Sequence, residues 1–115
     1  MIINDVKLDI DFTDADILEK IEQGSKIVYE ETERVKNNEY TLAEGIRQEC
    51  KILKDFLDYV FGEGTSEKLF KGKDSLHLCL KAFADIIRKR DEQAKSINEL
   101  VSKYSPERVQ RWIYY

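Results

Sequence analysis

The stretch Thr41-Leu42-Ala43-Glu44-Gly45-Ile46-Arg47-Gln48-Glu49-Cys50 and its continuation Lys51-Ile52-Leu53-Lys54-Asp55-Phe56-Leu57-Asp58-Tyr59-Val60-Phe61 decides the fold. Thr41 followed three residues later by Glu44 makes a capping box: the threonine oxygen accepts the third helical amide and the glutamate reaches back to the cap amide. Leu42, Ile46, Cys50, Leu53, Leu57 and Val60 then recur at spacings of three and four, which is one face of a helix. Ile52, Phe56 and Tyr59 widen that face, so this helix is predicted to sit centrally. Gly62-Glu63-Gly64 ends it, because glycine takes the left-handed backbone that helix ends commonly use.

Upstream, Thr13 followed by Asp16 predicts the cap of a first helix, with carboxylates where the helix dipole favours them. Its seam is Ile17, Ile21, Gly24, Val28, Thr32 and Val35, thin and interrupted by small residues. Gly24-Ser25 predicts a kink or a close approach of a neighbouring helix, and Asn37-Asn38 ends the element. Earlier still, Val6, Leu8, Ile10 and Phe12 alternate with Lys7, Asp9 and Asp11, the period of a strand with one wet face. Asn4-Asp5 turns Ile2-Ile3 back against it, giving a hairpin over residues 2–12. Two strands alone are marginal in water, so the hairpin must lie on a helix or pair with another subunit.

Downstream, Thr65 is predicted to cap a short helix carrying Leu69 and Phe70, a lid over the core that ends at Gly72. Asp74 or Ser75 caps a last helix with the seam Leu76, Leu80, Phe83, Ile87, Arg90, Ala94, Ile97 and Val101. About 27 residues at 1.5 Å each give roughly 40 Å. That exceeds what a globule of about 14 Å radius of gyration covers, so the half beyond Arg88-Lys89-Arg90-Asp91-Glu92 projects or packs on another chain. Ser105-Pro106-Glu107 opens a short helical turn in a C-terminal tail over 103–115, which closes on Trp112-Ile113-Tyr114-Tyr115. The predicted architecture is mainly α, α+β-like: a short N-terminal β-hairpin, about three long helices and a short one, the last extended, in a single domain over residues 1–115.

Composition narrows the function. A chain of 115 residues accommodates one core, and 37% charged residues against a usual share of about 25% put much of it in water. A net charge of −4 argues against a dedicated nucleic-acid binder. The start lacks the basic leader and apolar run of a signal peptide, and no window approaches the roughly 20 apolar residues of a membrane span. Cys50 and Cys79 read as small buried hydrophobes of a reducing compartment, so the expected location is cytoplasmic. Charge is graded along the chain: residues 1–44 hold twelve acidic and five basic groups, whereas residues 73–115 hold six acidic and nine basic. Such a gradient suits head-to-tail association or is simply the pattern of a solvated surface.

Catalytic signatures are not evident. His77, the sole histidine, lies between Leu76 and Leu78, a poor setting for a proton shuttle. One histidine and two separated cysteines do not make a four-ligand zinc site. An EF-hand reading from Asp9 and Asp11 puts Asp14 at the turn glycine and Lys20 at the bidentate glutamate, and fails. Gly62-Glu63-Gly64-Thr65 lacks the lysine of a phosphate cradle, and Arg88-Lys89-Arg90 is offset at once by Asp91-Glu92. The expectation is a non-enzyme without metal or cofactor. The distal seam of the last helix serves either as core or as a surface for another chain, and the terminal aromatics either fold back or anchor a partner. The partner-binding candidates are Leu69, Phe70, Ile86, Ile87, Ala94, Ile97, Leu100, Val101, Tyr104, Trp112, Tyr114 and Tyr115.

Four stretches carry a family resemblance: Ile3-Asn4-Asp5-Val6-Lys7-Leu8-Asp9, Thr41 to Ile46, Phe61 to Phe70, and Lys103-Tyr104-Ser105-Pro106-Glu107-Arg108. In these the chain resembles small tail proteins of phages and prophages of Gram-positive bacteria, similar to tail assembly chaperones. The resemblance implies a non-enzymatic protein that coats the helical tape measure protein, keeps it soluble in the host cytoplasm, leaves when tail-tube subunits polymerise, and oligomerises. An excess of charge with apolar grooves agrees with such a holding role. A competing reading of the Asp-rich N-terminal region is a small phage regulatory or anti-defence protein that inhibits a host protein through an acidic surface.

Overall fold

The computed structural model describes residues 1–104. Its elements run β1 (Ile2–Ile3), β2 (Val6–Lys7), α1 (Ala15–Lys36), α2 (Leu42–Phe61), α3 (Thr65–Phe70) and α4 (Leu76–Tyr104). The predicted fold class is the one observed: mainly helical, with a short antiparallel N-terminal hairpin. α2 is central. The capping box at Thr41 and Glu44 is formed in both directions, and Cys50, Ile52, Leu53, Phe56, Leu57 and Val60 are buried.

Two cross-contacts fix how α1 lies on α2. Tyr59 Oη donates to Gln23 Oε1 at 3.2 Å and Thr32 Oγ1 donates to Glu49 Oε1 at 2.7 Å, so the two helices run antiparallel. α4 takes the other flank and runs in the same direction as α2. Cys79 faces Cys50, and further along the Phe83 ring meets Phe56 edge-on at 5.0 Å. α3 and the loop after it make the reversal, held by Lys54 Nζ of α2, which donates to Asp74 Oδ1 at 2.7 Å.

The hairpin is shorter than the alternation predicted. Pairing is confined to Ile2 with Lys7 and Ile3 with Val6, extended by the mutual bonds of Met1 and Leu8. Its two turn residues, Asn4 and Asp5, both have positive φ, the backbone of the tight turn whose twist matches a hairpin. Leu8 to Phe12 keep the in-and-out pattern, with Phe12 buried, but have no strand to pair with because β1 is two residues long. The hairpin lies on the helices: Asn4 Nδ2 donates to the Leu69 carbonyl at 3.2 Å, and Ile3 joins the core.

Several ends differ from the predicted ones. Asp14, not Thr13, caps α1 by accepting the Asp16 amide, since Thr13 spends its amide and hydroxyl on Asp11 Oδ1. Gly64 is the cap residue of α3; the Thr65 hydroxyl points back to the Gly62 carbonyl, and Asp58 takes both the amide and the hydroxyl of Ser66. α3 ends at Phe70, and its C-cap is Lys71 in the left-handed region, one residue before the predicted Gly72. Ser75, rather than Asp74, accepts a first-turn amide of α4, that of Leu78. The buried line of α4 is Cys79, Ala82 and Ile86; Leu80 of the predicted seam is exposed, because the Cys79 and Phe83 contacts with α2 set the rotation of the helix. Leu42 and Tyr59, expected on the inner face of α2, are likewise exposed.

Among the described residues every buried one lies at or before Ile86, so the far half of α4 runs past the core. The molecule accordingly measures 55 × 31 × 20 Å with a radius of gyration of 16.5 Å, above the roughly 13–14 Å of a compact chain this long.

Candidate interaction surface

α1 is too narrow to cover the face that α2 presents. At their closest approach Gly24 lies against the Phe56 ring, and beyond it the helices leave a groove of about 520 Å³. Gly24, Val28, Ile52 and Phe56 form its floor. Ile27 and Tyr59, 53% and 46% exposed, stand beside that floor as apolar walls. The rim is ionic and internally paired: Arg34 Nε meets Glu31 at 2.7 Å on α1, and Lys51 Nζ meets Asp55 at 3.1 Å on α2. An apolar strip bordered by charges of both signs matches the cross-section of an amphipathic helix, whose anchors fill the strip while its polar flanks stay wet.

The second exposed surface is the far half of α4. Ile97, Val101 and Tyr104 lie on the same side of the helix as the buried line of Cys79, Ala82 and Ile86, with Leu100 beside them, so a second apolar patch stands on that side beyond the polar stretch of Lys89, Arg90 and Gln93. Ile97 and Val101 are half-buried, Ala94 is exposed, and Leu100 and Tyr104 are 53% and 72% exposed.

The predicted contact residues are therefore divided. Ala94, Ile97, Leu100, Val101 and Tyr104 share the projecting half of α4. Leu69, Phe70 and Ile86 are core residues: α3 is a lid in the sense expected, but it turns both of its large side chains inward, which removes them from the exposed surface. Ile87 is half-buried against the same core. Trp112, Tyr114, Tyr115 and the predicted helical turn of the tail lie outside the described residues. The groove residues Ile27, Ile52, Phe56 and Tyr59 were not among the predicted contacts. Their signal lay in the mismatch between the wide face of α2 and the thin seam of α1.

A third feature is a hollow of about 400 Å³ between the segment Leu8–Asp14, the start of α1 and the end of α2. Ile10, Ile17 and Phe61 supply its apolar lining, and Asp9, Asp11 and Asp14 its border. The Thr13 hydroxyl and amide hold the Asp11 carboxyl below its ordinary value. His77 is exposed on α4, and among the described residues no three of His, Cys, Asp and Glu come together as metal ligands do. Burial pushes the Cys50 thiol up and drives Cys79 to about 12, which leaves both as protonated core groups at neutral pH. No helix among the described residues is long and apolar enough to cross a membrane.

A model of a protein family described only as a family of unknown function (DUF6673) matches residues 4–114. No curated protein and no solved structure matches the chain.

Proposed function

The chain belongs to that family of unknown function, and from this premise we propose that it is a non-enzymatic holding protein that takes an amphipathic helix of a client into the groove between α1 and α2. The observation that carries the reading is the apolar floor of Val28, Ile52 and Phe56, flanked by exposed Ile27 and Tyr59 and bounded by paired ions. The sequence resemblance to tail assembly chaperones supplies the client class: a phage tape measure protein, a long helical chain that exposes such faces in the host cytoplasm before the tail tube forms around it. A groove of this size grips a few anchors at a time, so holding a long client relies on many copies, each bound weakly enough to be displaced.

Co-expression with the tape measure protein of the same phage or prophage tests this. The wild-type chain copurifies with its client and keeps it in the supernatant, while Ile27→Lys and Ile27→Asp, at an exposed position, reduce recovery about tenfold or more with an unchanged melting temperature. Recovery of the client by both variants at the wild-type level, or no recovery by the wild type, overturns the assignment.

A further inference from the structure

We propose that the projecting half of α4 docks into the acidic hollow at the N-terminal end of a second copy of this chain. The helix is built for an occupant's role. Beyond Ile86, the last buried position among the described residues, it carries Ile97, Leu100, Val101 and Tyr104 within roughly 10 Å along its axis, with Leu100 and Tyr104 exposed. Residues 88–104 bear five basic and three acidic groups, and Lys89, Arg90 and Lys103 lie along or beside the apolar face by helical spacing.

The hollow is built as the receptor. Ile10, Ile17 and Phe61 give it an apolar lining, and three aspartates against one lysine, Lys68, give its border the opposite sign to the helix. Apolar contact then supplies the attraction and the charges supply orientation, as is usual where potentials are complementary.

A second molecule follows from stiffness. α4 contains neither glycine nor proline from Leu76 to Tyr104, so no hinge lets the far half fold back to the hollow of its own chain. The same sequence presents helix and hollow at equal concentration on different parts of its surface. The contact is therefore heterologous unless two molecules exchange helices reciprocally, and it leaves the client groove between α1 and α2 uncovered.

Light scattering of the full chain over a wide concentration range, at low salt, reads the contact directly. The wild type rises above its monomer mass of 13.5 kDa, and Leu100→Asp stays at that mass. Asp9→Lys and Lys103→Glu each move the midpoint of association to about fivefold higher concentration, the effect of roughly 1 kcal/mol, and the two together restore it. All four proteins keep the same helical circular dichroism, since Leu100, Asp9 and Lys103 are exposed. A wild type that remains a monomer throughout, Leu100→Asp associating like the wild type, or a charge exchange weaker than either single change overturns the proposal. Ile27→Lys keeps its self-association, which separates this contact from client holding.

Discussion

Gly24 of α1 lies so near Phe56 of α2 that a Cβ there would stand 2.8 Å from Phe56 Cδ2 and 2.9 Å from Cε2. The ring has nowhere easy to go, being buried and packed edge-on against Phe83 at 5.0 Å. Gly24→Ala gains about 1 kcal/mol of helix propensity but overpacks the crossing at a cost of about 1–3 kcal/mol. The expected result is a melting temperature lower by several degrees. A smaller residue beneath it, Phe56→Leu, makes the alanine less harmful than it is in the wild-type background, and a double-mutant cycle by thermal melting measures that coupling.

Lys71 ends α3 with φ +52°, a region that costs a side chain about 1–2 kcal/mol and glycine nothing. Lys71→Gly relieves that strain while adding freedom to the unfolded chain. Urea unfolding is expected to show a net gain of about 0.5–1 kcal/mol at an unchanged slope.

Asp58 and Asp55 are both acidic residues of α2 with very different expected weights. Asp58 satisfies the amide and hydroxyl of buried Ser66 at 2.8 and 2.9 Å, and Asp58→Ala strands that amide at a cost of about 1–3 kcal/mol. Asp55 pairs with Lys51 in water, and Asp55→Ala changes stability by less than about 0.5 kcal/mol. Denaturant midpoints of the two variants give the comparison.

Alkali is expected to loosen the core through Cys79. Its thiol is raised to about 12 from an ordinary 9.0, first by burial and then by its contact with Cys50. Between those values the unfolded chain has lost the proton that the folded chain keeps, so stability, fully present below pH 9, falls as pH climbs toward 12. Cys79→Ala is less stable at pH 7 because it leaves a small cavity, but it declines less steeply over the alkaline range. At pH 8 a maleimide labels neither cysteine of the native wild type at an appreciable rate, as burial shields both.

The helices were legible because their apolar periods are long. α2 declares itself by a capping box and six seam residues, and α1 ends at the Asn37 cap its sequence marks. Caps were less legible where several candidates lie side by side. Thr13 and Asp14 compete for one helix start, and the choice depends on the Asp11 side chain, which already occupies Thr13. The rotation of α4 was not legible either. Leu76, Leu80, Phe83 and Ile87 fit helical spacing as well as Cys79, Ala82 and Ile86 do, and the contact of Cys79 with Cys50 turns the second line fully inward while Phe83 still reaches Phe56 and Leu80 is left exposed. Of the surface, the escape of α4 from the core followed from its length. The groove between α1 and α2 did not, since it depends on how far Gly24 lets the helices close.

A rod whose buried residues all fall within its first three turns is held at one end, as a cantilever is. Load applied near Tyr104 is borne at the clamp, where Phe83 sits between Phe56 at 5.0 Å and Tyr29 at 6.2 Å. Phe56 also floors the groove. Whatever seizes the tip of α4 therefore pulls on the aromatic fulcrum that shapes the groove, and with no hinge along the shaft little of that torque is dissipated before it arrives.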